Sequence, residues 1–229
     1  LSSQLSLDFR PGNLTTTSLD FTNGEFSDNL GRAKNLIIAS KALDANSVGT
    51  AEDVLRAAVV FLHASLEEVV RNLFIRRLPD VAPEKLDEIP LAGEFESRRP
   101  TKILLGSLIQ FKGQFVENVI MKSIDAYVDT LNLNNTSQLT QYLELADVEV
   151  SLLRKNFPAL NELMQRRHQI VHQMDRKNEL DPLSVPLTPL DVSAVEGWKH
   201  ALESFVQDLF AACVTPPNSA LQPTASGGG

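Results

Sequence analysis

The chain predicts an all-α bundle of four to six helices, and three observations carry that expectation. Apolar residues recur at helical spacing through several long stretches, the connections between those stretches are mostly short, and strand-like alternation is faint and confined to the start of the chain. No internal repeat of fixed period interrupts the pattern. With 229 residues, 43% of them hydrophobic, and one cysteine, the chain can bury one sizeable core. We expect an N-terminal arm or small hairpin over 1–26, one helical domain over 27–213 and a disordered tail over 214–229.

Leu5 to Phe9 and Leu14 to Phe21 flank the turn signal Pro11-Gly12-Asn13, which suggests the small extended arm. A first helix is expected from Ser27, a candidate cap, to about Ala45, with Leu30, Ala33 and Ile37 along one side. Thr50-Ala51-Glu52-Asp53 reads as a capping box opening a second helix that runs to about Arg77. Its stripe is Leu55, Ala58, Val59, Leu62, Leu66, Val69, Val70 and Leu73, and apolar character extends most of the way round its first half, so this helix should be central. Residues 78–100 are punctuated by prolines, with one short helix at Pro83 to Glu88. Helices then follow from about Gln114 to Leu131, from Thr136 to Leu145, and from Phe157-Pro158 to about Arg176. A last one starts at Thr188-Pro189-Leu190-Asp191 with the stripe Val192, Val195, Trp198, Leu202, Phe205, Val206 and Leu209.

The helix opened by Phe157 ends in Gln165-Arg166-Arg167-His168-Gln169-Ile170-Val171-His172-Gln173. At about 100° per residue, Leu160, Leu163, Met164, Ile170, Val171 and Met174 form one stripe, and Arg167 lands near its middle, against the binary pattern. Such a local contradiction marks a buried ion pair or a site. His168 and His172, four apart, stack on the flank of that stripe. On the second helix His63 and Glu67 hold the same angular relation to their own core, which places the two flanks near each other. A guanidinium offers a planar fork of donors suited to phosphate oxygens or to the extra charge of a pentacoordinate phosphorane. Its structural alternative is an ion pair with Glu67. An imidazole such as that of His172 takes and returns a proton near neutrality, although a lone helix histidine is more often structural.

Arg167-His168-x-x-x-His172, an arginine followed by a polar residue and then by a histidine at the right distance, resembles the R-x4-6-H motif of the HEPN superfamily. It is most similar to the RiboL-PSP-HEPN ribonucleases and their toxin-like relatives. The stretch Ala57 to Glu68 resembles the acidic-ended apolar helix that precedes the motif helix in those domains, and the resemblance spans roughly residues 27 to 213. It implies a HEPN-like bundle and a metal-independent endoribonuclease. An RNA 2′-hydroxyl would attack its own phosphodiester to leave a 2′,3′-cyclic phosphate. His172 would handle protons, Arg167 would stabilise the phosphorane, and His168 would position the phosphate or tune His172, with Glu67 and His63 in support. The resemblance further implies a homodimer with one composite site, no cofactor, and an antitoxin or nucleotidyltransferase as a partner protein. The roles open to such an enzyme are toxin, antiviral effector and RNA processing, and one short motif does not choose among them. Its alternative is a non-catalytic HEPN module that binds a nucleotide or a partner protein.

Other chemistries find less support. The net charge of −8 argues against a long nucleic-acid groove, and favours the binding module slightly. Arg166, Arg176 and Lys177, with Arg98, Arg99 and Lys102, offer a local patch for RNA, though solvated surface is the commoner fate of such charges. The i, i+4 histidines match the spacing of a zinc helix, but Gln169 stands where its glutamate would be and no third ligand is evident. A phosphate-binding glycine loop and a G-x-S-x-G elbow are both missing. Cys213 reads as a small buried hydrophobe. No run reaches the roughly 18 apolar residues of a membrane span, so a cytoplasmic protein is expected.

Overall fold

The computed structural model describes residues 16–43, 47–92, 105–176 and 187–214. These build an all-α bundle of seven helices: α1 (Thr16–Ala42), α2 (Val48–Arg77), α3 (Pro83–Leu86), α4 (Val116–Asp129), α5 (Thr136–Leu145), α6 (Phe157–Gln173) and α7 (Val192–Val214). Short 3-10 turns occupy Leu78–Asp80, Leu105–Phe111 and Arg154–Asn156. Among the described residues there is no sheet. One isolated antiparallel bridge joins Arg176 to Leu187.

The central position of α2 follows from its composition. All eight residues of its expected stripe are buried, and α2 packs against α1, α4, α6 and α7. The stripe of α7 is buried from Val195 to Leu209, as its spacing required, and Cys213 is buried beside it. Burial of each large side chain here, such as Leu62, Leu66, Phe74 or Phe205, contributes roughly 1.5–3 kcal/mol. Phe74 adds an edge-to-face contact with Tyr142 at 5.8 Å, which brings α5 onto α2.

Two boundaries differ from the sequence reading. Helix α1 starts at Thr16 rather than Ser27, so residues 16–26 are helical and not part of an extended arm; residues 1–15 lie outside the described residues. The reason is visible in the packing: Phe26 is buried with Leu30, Ala33 and Ile37, so the face that meets α2 begins before Ser27. The Thr50–Asp53 capping box does not form either. Helix α2 already begins at Val48, and Glu52 and Asp53 turn instead to the guanidinium of Arg56 at 3.2 and 3.0 Å.

Elsewhere the ends are closed by side chains. Asn135 Oδ1 accepts from the Gln138 amide at 2.9 Å at the start of α5, and Asp191 Oδ1 accepts from Ala194 at 2.9 Å at the start of α7. Arg77, in the last turn of α2, donates to the carbonyls of Ala146, Asp147 and Cys213, which satisfies groups that the ends of α5 and α7 leave without helical partners. No described helix is long and apolar enough to cross a membrane.

Candidate functional site at the end of the sixth helix

The structure sets the phase of α6 differently from the sequence reading. Leu160, Leu163, Met164 and Arg166 are buried, while Val171 is 45% and Met174 74% exposed. The arginine that enters the core is therefore Arg166, and Arg167, expected at the centre of the stripe, is half-buried on its flank. The error has a clear source. Val171 and Met174 are apolar but face outward, and counting them as core rotated the apparent stripe by about one residue, or 100°.

Arg166, read as part of a basic surface patch, is committed to the interior. Its Nη2 donates to Asp175 Oδ2 at 2.9 Å and to the Thr188 carbonyl at 2.7 Å. Arg56, near the start of α2, donates from Nε to the same carboxylate oxygen at 2.5 Å and from Nη2 to the same carbonyl at 3.1 Å. Two guanidiniums thus share one carboxylate that is 1% exposed. Burial lowers the pKa of Arg166, an effect that Asp175 opposes and Arg56 reinforces. For Arg56 burial also lowers the pKa, but hydrogen bonds to Asp175, Glu52 and Asp53 outweigh it and hold the group more firmly protonated. Arg166 Nε and Asp175 Oδ1 have no hydrogen-bond partner among the described residues.

This knot fixes the end of α6. Met174 and Asp175 adopt left-handed backbone at φ 51° and 58°, and the Asp175 amide donates back to the Gln169 carbonyl. The Thr188 amide donates to the Asp175 carbonyl at 2.9 Å, and Gln169 Nε2 donates to Thr188 Oγ1 at 2.8 Å. Arg56, Asp175 and Thr188 had no signature in the sequence, because their partners are brought together only by the fold.

With Arg166 spent, the ionisable side chains left at the surface of the last turns of α6 are the half-buried Arg167 and the exposed His168 and His172. The two histidine rings lie 4.6 Å apart and both residues are exposed; none of the three side chains makes a hydrogen bond or ion pair with a described residue. Helix α2 lies against α6 and brings up Glu67, whose Oε2 is 3.6 Å from Nδ1 of the buried His63. Burial would raise the Glu67 carboxyl, but the polar contact with His63 and the charges of His63, Arg167 and Arg71 outweigh it and hold it below the usual carboxylate range. The charge of Arg167 therefore reaches Glu67, but the two flanks do not match: His63 is buried, whereas His168 and His172 are exposed.

Beyond Glu67 a cleft of about 500 Å³ opens between α2 and α4, with Glu67, Glu68, Arg71, Asn72 and Asp129 among its lining residues. Its three carboxylates against one guanidinium make it hostile to phosphate. Arg176 is half-buried at the isolated bridge, whereas Lys177, Arg98, Arg99 and Lys102 lie outside the described residues. Among the described residues no group of three or more His, Cys, Asp or Glu side chains is arranged to hold a metal ion.

The described residues thus form an all-α bundle that sets the apolar α2 against α6, an architecture consistent with a HEPN domain. The RiboL-PSP-HEPN family profile matches residues 27–185, more than half of the chain, and the protein belongs to that family. No curated protein and no solved structure shows a significant match.

Proposed function

We propose that the protein is a metal-independent endoribonuclease of the HEPN type. The observation that carries this reading is the division of labour between two adjacent arginines. Arg166 faces inward to Asp175, so Arg167 on the flank is the guanidinium positioned with two exposed histidines. In this reading the RNA 2′-hydroxyl attacks the adjacent phosphorus and the 5′-oxygen leaves, giving a 2′,3′-cyclic phosphate and a 5′-hydroxyl. His172 removes or returns the proton, Arg167 binds the two non-bridging oxygens as charge builds on them, and His168 orients the phosphate. Glu67 aims the guanidinium. The acidic cleft beyond Glu67 steers the backbone over α6 instead.

A homodimer completes the site. Arg167 and His172 lie about 140° apart around the helix axis, so one α6 does not present both squarely to one phosphate. Two copies facing each other do. The exposed Val171 and Met174 beside the histidines supply apolar area for such a contact. The purified protein, incubated with RNA in EDTA, is expected to release fragments ending in cyclic phosphate. Intact RNA together with tight binding of a nucleotide or of a partner such as an antitoxin or nucleotidyltransferase would establish the non-catalytic module.

Arg167→Lys tests the guanidinium directly, because lysine keeps the charge but loses the planar fork. The variant should remain folded and dimeric and should cleave at least about 100-fold more slowly, a barrier increase of ~2.7 kcal/mol. Near-normal cleavage by this variant, or a monomer that cuts at full rate, would show the site to be elsewhere.

A further inference from the structure

Six of the fourteen large apolar side chains that the described residues leave exposed fall in one short stretch: Leu105, Leu108, Ile109, Phe115, Val116 and Ile120. Leu105, Ile109, Phe115 and Val116 are each at least 70% exposed, so they are not the margin of a buried face. The stretch folds on itself. The Gln114 amide donates to the Phe111 carbonyl at 2.9 Å, Gln114 Nε2 to the Gln110 carbonyl at 3.3 Å, and Lys122 Nζ to Gln114 Oε1 at 2.7 Å. Ala92 clamps it further, accepting from Gln110 Nε2 at 3.2 Å and donating to Ser123 Oγ at 3.0 Å. Apolar groups held together and left in water in this number mark a surface that something covers.

The helix directions limit what can reach this surface. Asn72 donates to Glu25, Asn29 to Glu68 and Ser40 to the Ala51 carbonyl, so α1 runs antiparallel to α2. From Glu25 back to Thr16 is about 14 Å of helix, which carries the start of α1 past Asn72 to the end of α2 at Arg77. The start of α4 lies at that same end. Val128 and Asp129 line the cleft with Arg71 and Ile75, Leu133 meets His63 nearer the start of α2, and α4 touches the turn Leu78–Asp80. The chain before Thr16 therefore joins α1 at the end of the bundle where the exposed stretch lies, and residues 1–15 span up to about 50 Å when extended.

Sequence chooses among the segments near that end. In residues 1–15, Leu5, Leu7 and Phe9 alternate with Ser6, Asp8 and Arg10, so an extended chain turns three large apolar groups to one side and its polar ones to the other. The chain that follows Val214 also leaves from this end, because Arg77 holds the Cys213 carbonyl, but Leu221 is its one large apolar residue. Residues 93–104 are anchored at Ala92 and Leu105 and carry Glu94, Glu96, Arg98, Arg99 and Lys102, charges that cost free energy to cover.

We propose that residues 5–9 dock on the face formed by Leu105–Phe111 and the first turns of α4, with Leu5, Leu7 and Phe9 against Ile109, Phe115 and Val116. The segment closes the end of the bundle away from His172, since the end of α6 meets α2 through Asp175 and Arg56, near the start of α2. It leaves the candidate site open, and the proposal stands or falls independently of the ribonuclease reading.

A photo-crosslinking side chain, p-benzoylphenylalanine, in place of Leu7 in the full chain tests it. Irradiating a mixture of nitrogen-14 and nitrogen-15 protein should give links within one chain, mapped by mass spectrometry to residues 105–120. In Ile109→Ser with Phe115→Ser the yield of that link should fall at least about tenfold, because covering either side chain is worth about a factor of ten or more. Both residues are exposed, so the melting temperature should hold. Leu5→Ser with Phe9→Ser alters no residue of the bundle and should cause the same loss. A link between two chains would show that a second copy covers the face. A link elsewhere, no link, or a yield indifferent to both pairs would show that the segment does not dock there. Each of these results overturns the proposal.

Discussion

Replacing His172 with alanine is expected to abolish RNA cleavage and leave the protein folded. The side chain is exposed near the last turn of α6 and makes no hydrogen bond or ion pair with a described residue. Its removal opens no cavity and should change stability by no more than about 0.5 kcal/mol. General acid–base catalysis contributes roughly 10²- to 10⁴-fold, so a labelled RNA should show cleavage reduced by at least the lower figure. A helix-rich circular dichroism spectrum and an unchanged melting temperature would establish that the loss is chemical. Full cleavage by a well-folded His172→Ala protein would sink the mechanism.

The second large effect is expected at Asp175, where the consequence is stability. Alanine there would leave the guanidiniums of Arg56 and Arg166 buried against each other with no carboxylate between them, which should cost on the order of 3–5 kcal/mol. Left-handed backbone is a further burden for alanine, about 1–2 kcal/mol, because Asp175 sits at φ 58°. In a domain of this size each kcal/mol moves the melting temperature by roughly 2–4 °C, so a fall on the order of 10 °C is expected in a thermal scan. Asp175→Asn separates the two causes. Asparagine tolerates the left-handed turn and keeps an acceptor, so it should lose less than alanine, and what it does lose reports the charge. A Asp175→Ala protein that melts with the wild type would show that the two arginines are solvated and the knot is not a structural element.

The bundle was legible because its long helices obey one rule from end to end. In α2 and α7 every apolar residue assigned to the stripe lies on the packed face or at its edge, so periodicity alone located the core. The motif helix was harder. Its stripe is short, it contains two adjacent arginines, and the apolar Val171 and Met174 serve the outer surface rather than the core. Pattern counting weighs such residues equally and cannot see which arginine has a partner. That partner, Asp175, lies nine residues on, past the end of α6, and its carboxylate is held there by Arg56 across 119 residues of sequence separation. The matching of polar pairs on the two helices does not hold in detail, because His63 is buried in α2 whereas His168 and His172 are exposed on α6; what the structure gives is the packing of α2 on α6. The contact of the buried His63 with the Leu133 carbonyl, at 2.7 Å, left no trace, since any residue provides a carbonyl.

The inward arginine also makes α6 intolerant of slippage. Deleting Gln165 would carry every later residue back by about 100°. Arg167 would then occupy the place from which Arg166 now reaches Asp175, and the histidines would swing away from the face they hold. Spacing between the core of α6 and its motif is therefore locked in whole residues, as teeth are on a gear. By contrast, the bridge between Arg176 and Leu187 brings the chain back to nearly the point where it left, so a change in length between them need not turn the helix at all. Relatives of this protein, or variants selected for function, should accumulate insertions after Arg176 and none between Met164 and His172.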